Sequence, residues 1–185
     1  MAFITDRMGR PELWFRDRPI VTAQSFAPAP GGLLLDTDLS PDGRRVAFRR
    51  SASRDEGIWV AMVEGGAPVR LPAEPNGAFQ RGPTWSPDGG QIAYYSARDG
   101  RYVLVRSTVG GGAGPVVVAA DAGVYPRWSP TGEWIAALGP RQGVTLVAPD
   151  GSSKRVAGSG EWLLQGWSQD GATLYGVRRT ANRRL

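Results

Sequence analysis

Four copies of one short phrase decide what this chain can fold into. Trp85-Ser86-Pro87-Asp88-Gly89 recurs as Leu39-Ser40-Pro41-Asp42-Gly43, as Trp128-Ser129-Pro130-Thr131-Gly132 and as Trp167-Ser168-Gln169-Asp170-Gly171. The four serines stand 46, 43 and 39 residues apart. A self-similar unit of that length marks a repeat architecture, in which each unit buries its apolar face only by stacking on its neighbours.

Ser-Pro-Asp-Gly carries the chemistry of a type I turn. Serine can bond back to the turn, proline presets φ, and glycine accepts the positive φ with which the chain leaves. An apolar strand follows each copy: Val46-Ala47-Phe48, Ile92-Ala93-Tyr94-Tyr95, Trp134–Leu138 and Thr173–Tyr175. The phrase therefore joins two strands as a hairpin. Its Trp or Leu is a large apolar anchor between neighbouring units. Trp85, Ser86, Asp88, Gly89, Trp128, Gly132, Trp167, Asp170 and Gly171 are thus structural residues of the repeat.

Strands are expected at Leu33–Asp38, Val46–Arg50, Ile58–Met62 and Pro68–Leu71 in one unit. The next has Arg81–Trp85, Gln91–Ser96, Tyr102–Arg106 and Pro115–Ala120. A third has Tyr125–Trp128, Trp134–Leu138, Val144–Ala148 and Lys154–Ala157. The opening residues match the strand after a turn, with further strands at Glu12–Arg16 and Ile20–Gln24, then a Pro/Gly loop over 27–32. Alternation puts Val46 and Phe48 on one face and Ala47 and Arg49 on the other. No helical periodicity of useful length is present. Four short strands per unit mean an all-β fold, a β-propeller of four-stranded antiparallel blades. The blades are expected at 36–76, 77–123 and 124–161, with partial blades at 1–35 and 162–185. A chain that starts and stops inside blades reads as part of a larger propeller, or else as a ring closed by pairing its two ends or by a second copy; the open edges of a half-propeller invite self-association.

Composition removes whole classes of chemistry. The 185 residues include no His and no Cys. Ser-His-Asp and Cys-His sites, imidazole-bound zinc, thiolate metal sites and disulfides are thereby excluded. Gly166-Trp167-Ser168-Gln169-Asp170 misses the Gly-x-Ser-x-Gly nucleophile elbow at its last position. Gly110–Gly114 is followed by no Gly-Lys-Ser/Thr and reads as a hairpin loop, not a phosphate cradle. The net charge of +5 comes from 22 basic and 17 acidic residues. Nearly all the basic ones are arginines scattered along the chain, which is no footprint for nucleic acid. No apolar run approaches the length of roughly 20 residues needed to span a membrane, and the N-terminus has no signal-peptide layout. Asp36 and Asp38, two apart on a strand, share a face, but two carboxylates are too few for a cation site. They read as a solvated strand end, and no metal or cofactor is expected.

The phrase Trp85–Gly89 followed by Ile92-Ala93-Tyr94 resembles the WD-repeat-like propeller repeat of TolB. The same repeat occurs in prolyl-oligopeptidase-type and kinase-attached propellers. Ser96-Ala97-Arg98-Asp99-Gly100 resembles the family's second turn, and Glu64–Leu71 resembles its blade ending. Leu39, Thr131 and Gln169 depart from the pattern. The resemblance implies a bacterial, periplasmic, non-catalytic module that binds a protein or peptide. The alternative it implies is the gating propeller of a larger serine peptidase. Family propellers have six blades or more, against four periods here. A propeller's generic site is the channel mouth, where the strands before each turn converge. Their polar positions are Asp36, Asp38, Arg81, Thr84, Tyr125, Arg127 and Gln165, which either grip a peptide or satisfy one another.

Overall fold

The computed structural model describes residues 2–7, 10–22, 25, 33–51, 56–72, 74, 79–98, 100–112, 114–139, 143–152, 154–158 and 161–179. The loop expected over 27–32 and residues 180–185 lie outside them. Among the described residues there is no α-helix, and seventeen strands form five antiparallel sheets. The first sheet holds β1 (Ala2–Arg7), β2 (Arg10–Phe15) and β3 (Arg18–Val21). The second holds β4 (Leu33–Leu39), β5 (Arg45–Ser51), β6 (Gly57–Met62) and the two-residue β7 (Val69–Arg70). The third holds β8 (Phe79–Trp85), β9 (Gln91–Arg98), β10 (Arg101–Thr108) and β11 (Val116–Ala120). The fourth holds β12 (Val124–Trp128), β13 (Ile135–Leu138), β14 (Val144–Val147) and β15 (Lys154–Gly158). The fifth pairs β16 (Glu161–Trp167) with β17 (Leu174–Arg179).

The repeated phrase closes as its chemistry demands. Gly43, Gly89, Gly132 and Gly171 donate their N–H to the serine carbonyl three residues back at 2.8–3.0 Å, with φ between 68° and 80°. Each serine Oγ then accepts the N–H five residues on, from Arg45, Gln91, Trp134 or Thr173. The turn survives Thr131, whose hydroxyl stands 3.2 Å from Ser129 Oγ, and Gln169.

In three copies the serine hydroxyl also donates to the turn aspartate, at 2.5–2.6 Å. That bond first, and the backbone N–H two residues on second, hold Asp42, Asp88 and Asp170 below the usual carboxylate range. A carboxylate whose folded pKa is lowered stabilises the fold above its unfolded value, about 3.9, and loses that contribution as pH falls through the folded value. The denaturation midpoint is therefore expected to drop on acidification below about pH 4. Asp88→Asn should flatten that slope relative to wild type, and denaturant titrations at pH 3 and pH 6 check it.

Packing between sheets follows the alternation. Val46 and Phe48 of β5 face the first sheet, in a cluster with Leu13, Ile20 and Val21. Ala47, between them, faces the third, in a cluster with Ile58, Val60, Trp85, Ile92 and Tyr94. The pattern repeats in β9, where Ile92 and Tyr94 look back and Ala93 looks forward to Ile135 and Val147. Ala136 of β13 packs forward with Leu164 of β16. Large residues on one face and alanine on the other let each sheet sit close on the next. Among the described residues four core clusters link five successive sheets, and none of the four joins the fifth to the first. Leu163, Tyr175 and Val177 of the fifth sheet are each about half exposed.

Candidate functional site

The strand before each turn lies on the inner side of its sheet and carries a bulge. Pairing slips between Leu35 and Thr37, Arg81 and Thr84, Val124 and Arg127, and Leu164 and Gly166. At the first three bulges the equivalent residues Asp36, Gly82 and Tyr125 have φ of 46°, 60° and 53°. An inserted residue re-aims the side chains around it. Asp36 and Asp38 do face the same way, as their spacing suggests, but the reading of a solvated strand end is corrected, because the neighbouring sheet covers the pair and buries Asp38. Both carboxylates turn to the next sheet. Asp36 Oδ2 accepts the Gly82 N–H at 3.3 Å, and Asp38 Oδ2 accepts the Trp85 N–H at 2.9 Å.

Asp38, Thr84 and Arg127 occupy one position of the repeat and meet around the inner side of the stack. The Thr84 hydroxyl donates to Asp38 and accepts the Trp128 N–H at 3.3 Å. Burial raises the Asp38 carboxyl above its ordinary range, opposed by the Trp85 N–H, the Arg127 charge and Thr84. The indole N–H groups of Trp85 and Trp167 reach back to the carbonyls of Asp38 and Arg127, at 3.1 and 3.0 Å. Trp128 differs, because its indole N–H turns to Gly132 O of its own turn.

A second group forms at the end of the stack away from the Ser-Pro-Asp-Gly turns. The Tyr95 hydroxyl sits among Asp36, Arg81 and Tyr125. Burial, then Tyr125 and Asp36, push it up to about 12 against the pull of Arg81. Tyr95 makes edge-to-face contacts with Tyr125 at 5.6 Å and Tyr102 at 5.7 Å. The Arg81 guanidinium lies 4.0 Å from the centre of the Phe79 ring, whose other neighbour is Arg49 at 4.7 Å. The structure thus brings six of the seven expected residues into two adjoining groups. Gln165, exposed at the bulge of the fifth sheet, stands apart.

Phe79, Tyr95 and Tyr102 were not singled out by sequence reasoning. Their signal is present but thin: Tyr94 and Tyr95 are consecutive, so alternation sends them to opposite faces. Tyr94 fills the core and Tyr95 reaches the other side. Ser168, the one near-match to a nucleophile elbow, has its hydroxyl committed to Asp170 and the Thr173 N–H.

Stacked, bulged antiparallel sheets, three of them four-stranded, with their inner strands side by side define a β-propeller, here in part. The chain is 32% identical over 110 residues to YuxL, an uncharacterized peptidase of Bacillus subtilis, a match covering 55% of this chain and 16% of the peptidase. It is 37% identical over 82 residues to the Tol-Pal system protein TolB of Anaeromyxobacter dehalogenans, 43% of this chain and 17% of that protein. The structure of a putative TolB from Agrobacterium tumefaciens superposes with a TM-score of 0.72 at 21% identity, over 97% of this chain and 70% of that one. No family model matches the chain. The matched part is under a fifth of the length of these curated relatives. Repeat and fold are those of the TolB-like β-propellers.

Proposed function

We propose that this chain is a non-catalytic β-propeller module that binds a protein or peptide at the mouth formed by its inner strands. The observation that carries the reading is the convergence of Asp36, Arg81, Tyr95 and Tyr125, drawn from three successive sheets, on one spot. Asp38, Thr84 and Arg127 adjoin it. Mixed charge and phenol groups on a rigid scaffold suit recognition of a polar backbone and its side chains. The name of the TolB relatives places those proteins in a Tol-Pal system, which supports a protein partner here. With no imidazole or thiol in the chain, and Ser168 held in its turn, this portion has no activated nucleophile of the usual kinds.

Arg127→Glu places a second acid beside Asp38. It should weaken capture of a partner isolated by pull-down by about tenfold or more, the scale of a charged contact reversed. Surface plasmon resonance with that partner checks it, and unchanged affinity would remove the mouth as the site.

A second reading follows from the match to YuxL: the substrate-gating propeller of a larger peptidase. The gene sequence beyond Leu185 decides between them. A hydrolase domain with a Gly-x-Ser-x-Gly elbow, Asp and His favours the peptidase.

A further inference from the structure

The clefts between successive sheets are not closed alike at the end that carries the Ser-Pro-Asp-Gly turns. Between the third and fourth sheets the cleft is shut by the turn from β14 to β15. A Cβ on Gly151 of that turn would fall 2.7 Å from the Val118 carbonyl oxygen of β11. Lys154 Nζ then donates across to the carbonyls of Ala120 and Asp121, at 3.4 and 3.1 Å.

Between the second and third sheets the corresponding turn, from β10 to β11, stands off its neighbour. A Cβ on Gly110, Gly111 or Gly112 would meet nothing within 4 Å. This turn borders a cavity of about 640 Å³, whose other wall is the outer part of the second sheet. Val60, Met62, Val69, Leu71 and Val109 line it, and no aromatic ring does. Met62 and Val69 are 44% and 67% exposed, large apolar side chains left open to the space. A concave, mostly apolar volume of roughly 300–1,000 Å³ with a few polar groups is the form that small-molecule sites take.

The charged residues of the lining are Arg45 and Arg70. Arg45 is already engaged, by the Gly89 carbonyl at 3.0 Å, the Trp85 ring and the Asp42 carboxylate at 3.7 Å. Arg70 is exposed and donates to the Glu56 carbonyl oxygen, and no carboxylate among the described residues pairs with it. A guanidinium carries five N–H donors in a fixed fork, so most of those on Arg70 remain to be used.

We propose that this cavity binds a small aliphatic monocarboxylate, with its chain against Met62, Val69 and Val109 and its carboxylate on the Arg70 guanidinium. Walls of branched and thioether side chains without a ring suit a flexible hydrocarbon chain. One unmatched cation suits one negative charge, and the planar fork of a guanidinium matches a carboxylate with two parallel hydrogen bonds. The cavity shares no residue with the mouth of the inner strands, so this is a second site beyond the binding role proposed above.

The probe is octanoate, titrated into the 185-residue chain by calorimetry, with hexanoate, 1-octanol and acetyl-Leu-Leu as comparisons. Saturable binding of octanoate in the millimolar range or tighter is expected. Each buried CH2 is worth a factor of about three to four, so hexanoate should bind about tenfold more weakly. Octanol, which keeps the chain and loses the charge, should bind at least about fivefold more weakly than octanoate. Arg70→Gln should erase that preference and leave the octanol affinity as it was. Met62→Trp, which puts a ring into the cavity, should weaken octanoate about tenfold. No saturation with octanoate, equal affinity for octanol, or indifference to either substitution in a folded variant would each overturn the inference. Tighter binding of acetyl-Leu-Leu than of octanoate would overturn it in favour of a peptide terminus. Any of these with Arg127-dependent partner capture intact would leave the proposed function standing.

Discussion

Trp85→Ala should lower the unfolding free energy by about 3–5 kcal/mol, the range for removing a buried tryptophan. The indole is 4% exposed and joins Ile58, Val60 and Leu71 of the second sheet to Ile92 and Tyr94 of the third. The Arg45 guanidinium lies 4.7 Å from its ring centre. Its N–H is a donor to the Asp38 carbonyl, and truncation leaves that acceptor to find water or go unpaired, a further cost on the order of 1–3 kcal/mol when it stays dry. Domains of this kind are stable by only about 5–15 kcal/mol, so the variant should sit near its unfolding threshold at ambient temperature. Urea denaturation followed by tryptophan fluorescence measures it. Trp167→Ala, at an equivalent but less buried position, should cost clearly less. Equal losses would show that the position in the stack does not matter.

Gly123→Ala should be comparably damaging, by a different route. Gly123 has φ 108° and lies in the link from the third sheet to the fourth. A Cβ there would fall 1.7 Å from the carbonyl oxygen of Leu138 and 2.7 Å from the Gly139 nitrogen. Both obstacles are backbone, so no rotamer change relieves them. The link must move, and with it the pairing of Val124 with Leu138. We expect a loss of more than about 3 kcal/mol, because strain and a displaced ladder act together. Thermal unfolding by circular dichroism checks it, and a Tm within a few degrees of wild type would contradict the assignment.

The periodic parts of the fold were legible in the sequence, and the aperiodic parts were not. Ser40, Ser86, Ser129 and Ser168 mark the hairpins because turn chemistry is local. Val46-Ala47-Phe48 and Ile92-Ala93-Tyr94 show their faces because a strand alternates. Ends were less certain: Pro68–Leu71 shrinks to Val69–Arg70, and the strand expected from Ile20 begins at Arg18. The bulges were invisible, since Asp36, Gly82 and Tyr125 have nothing in common chemically and only the glycine hints at positive φ. The reading of the Asp36–Asp38 pair as solvated failed for another reason: the strand that covers it comes more than 40 residues later in the chain. The buried Glu74 carboxylate and its partner Arg98, at 2.5 Å, likewise join a connecting segment to a strand edge 24 residues away. No periodicity announces such a pair. The contacts of Tyr95 with Tyr125 and Tyr102 needed two sheets to be set side by side before they could be seen.

The alanine-forward, bulky-backward faces have a consequence for how the molecule comes apart. Each sheet's apolar contacts reach only the sheet before it and the sheet after it, so damage is felt by immediate neighbours first. Such a stack behaves as a line of coupled links, in which the outermost links open at low cost and the middle ones last. The third sheet, the middle link with two neighbours on either side, is the one whose amide protons should resist exchange longest.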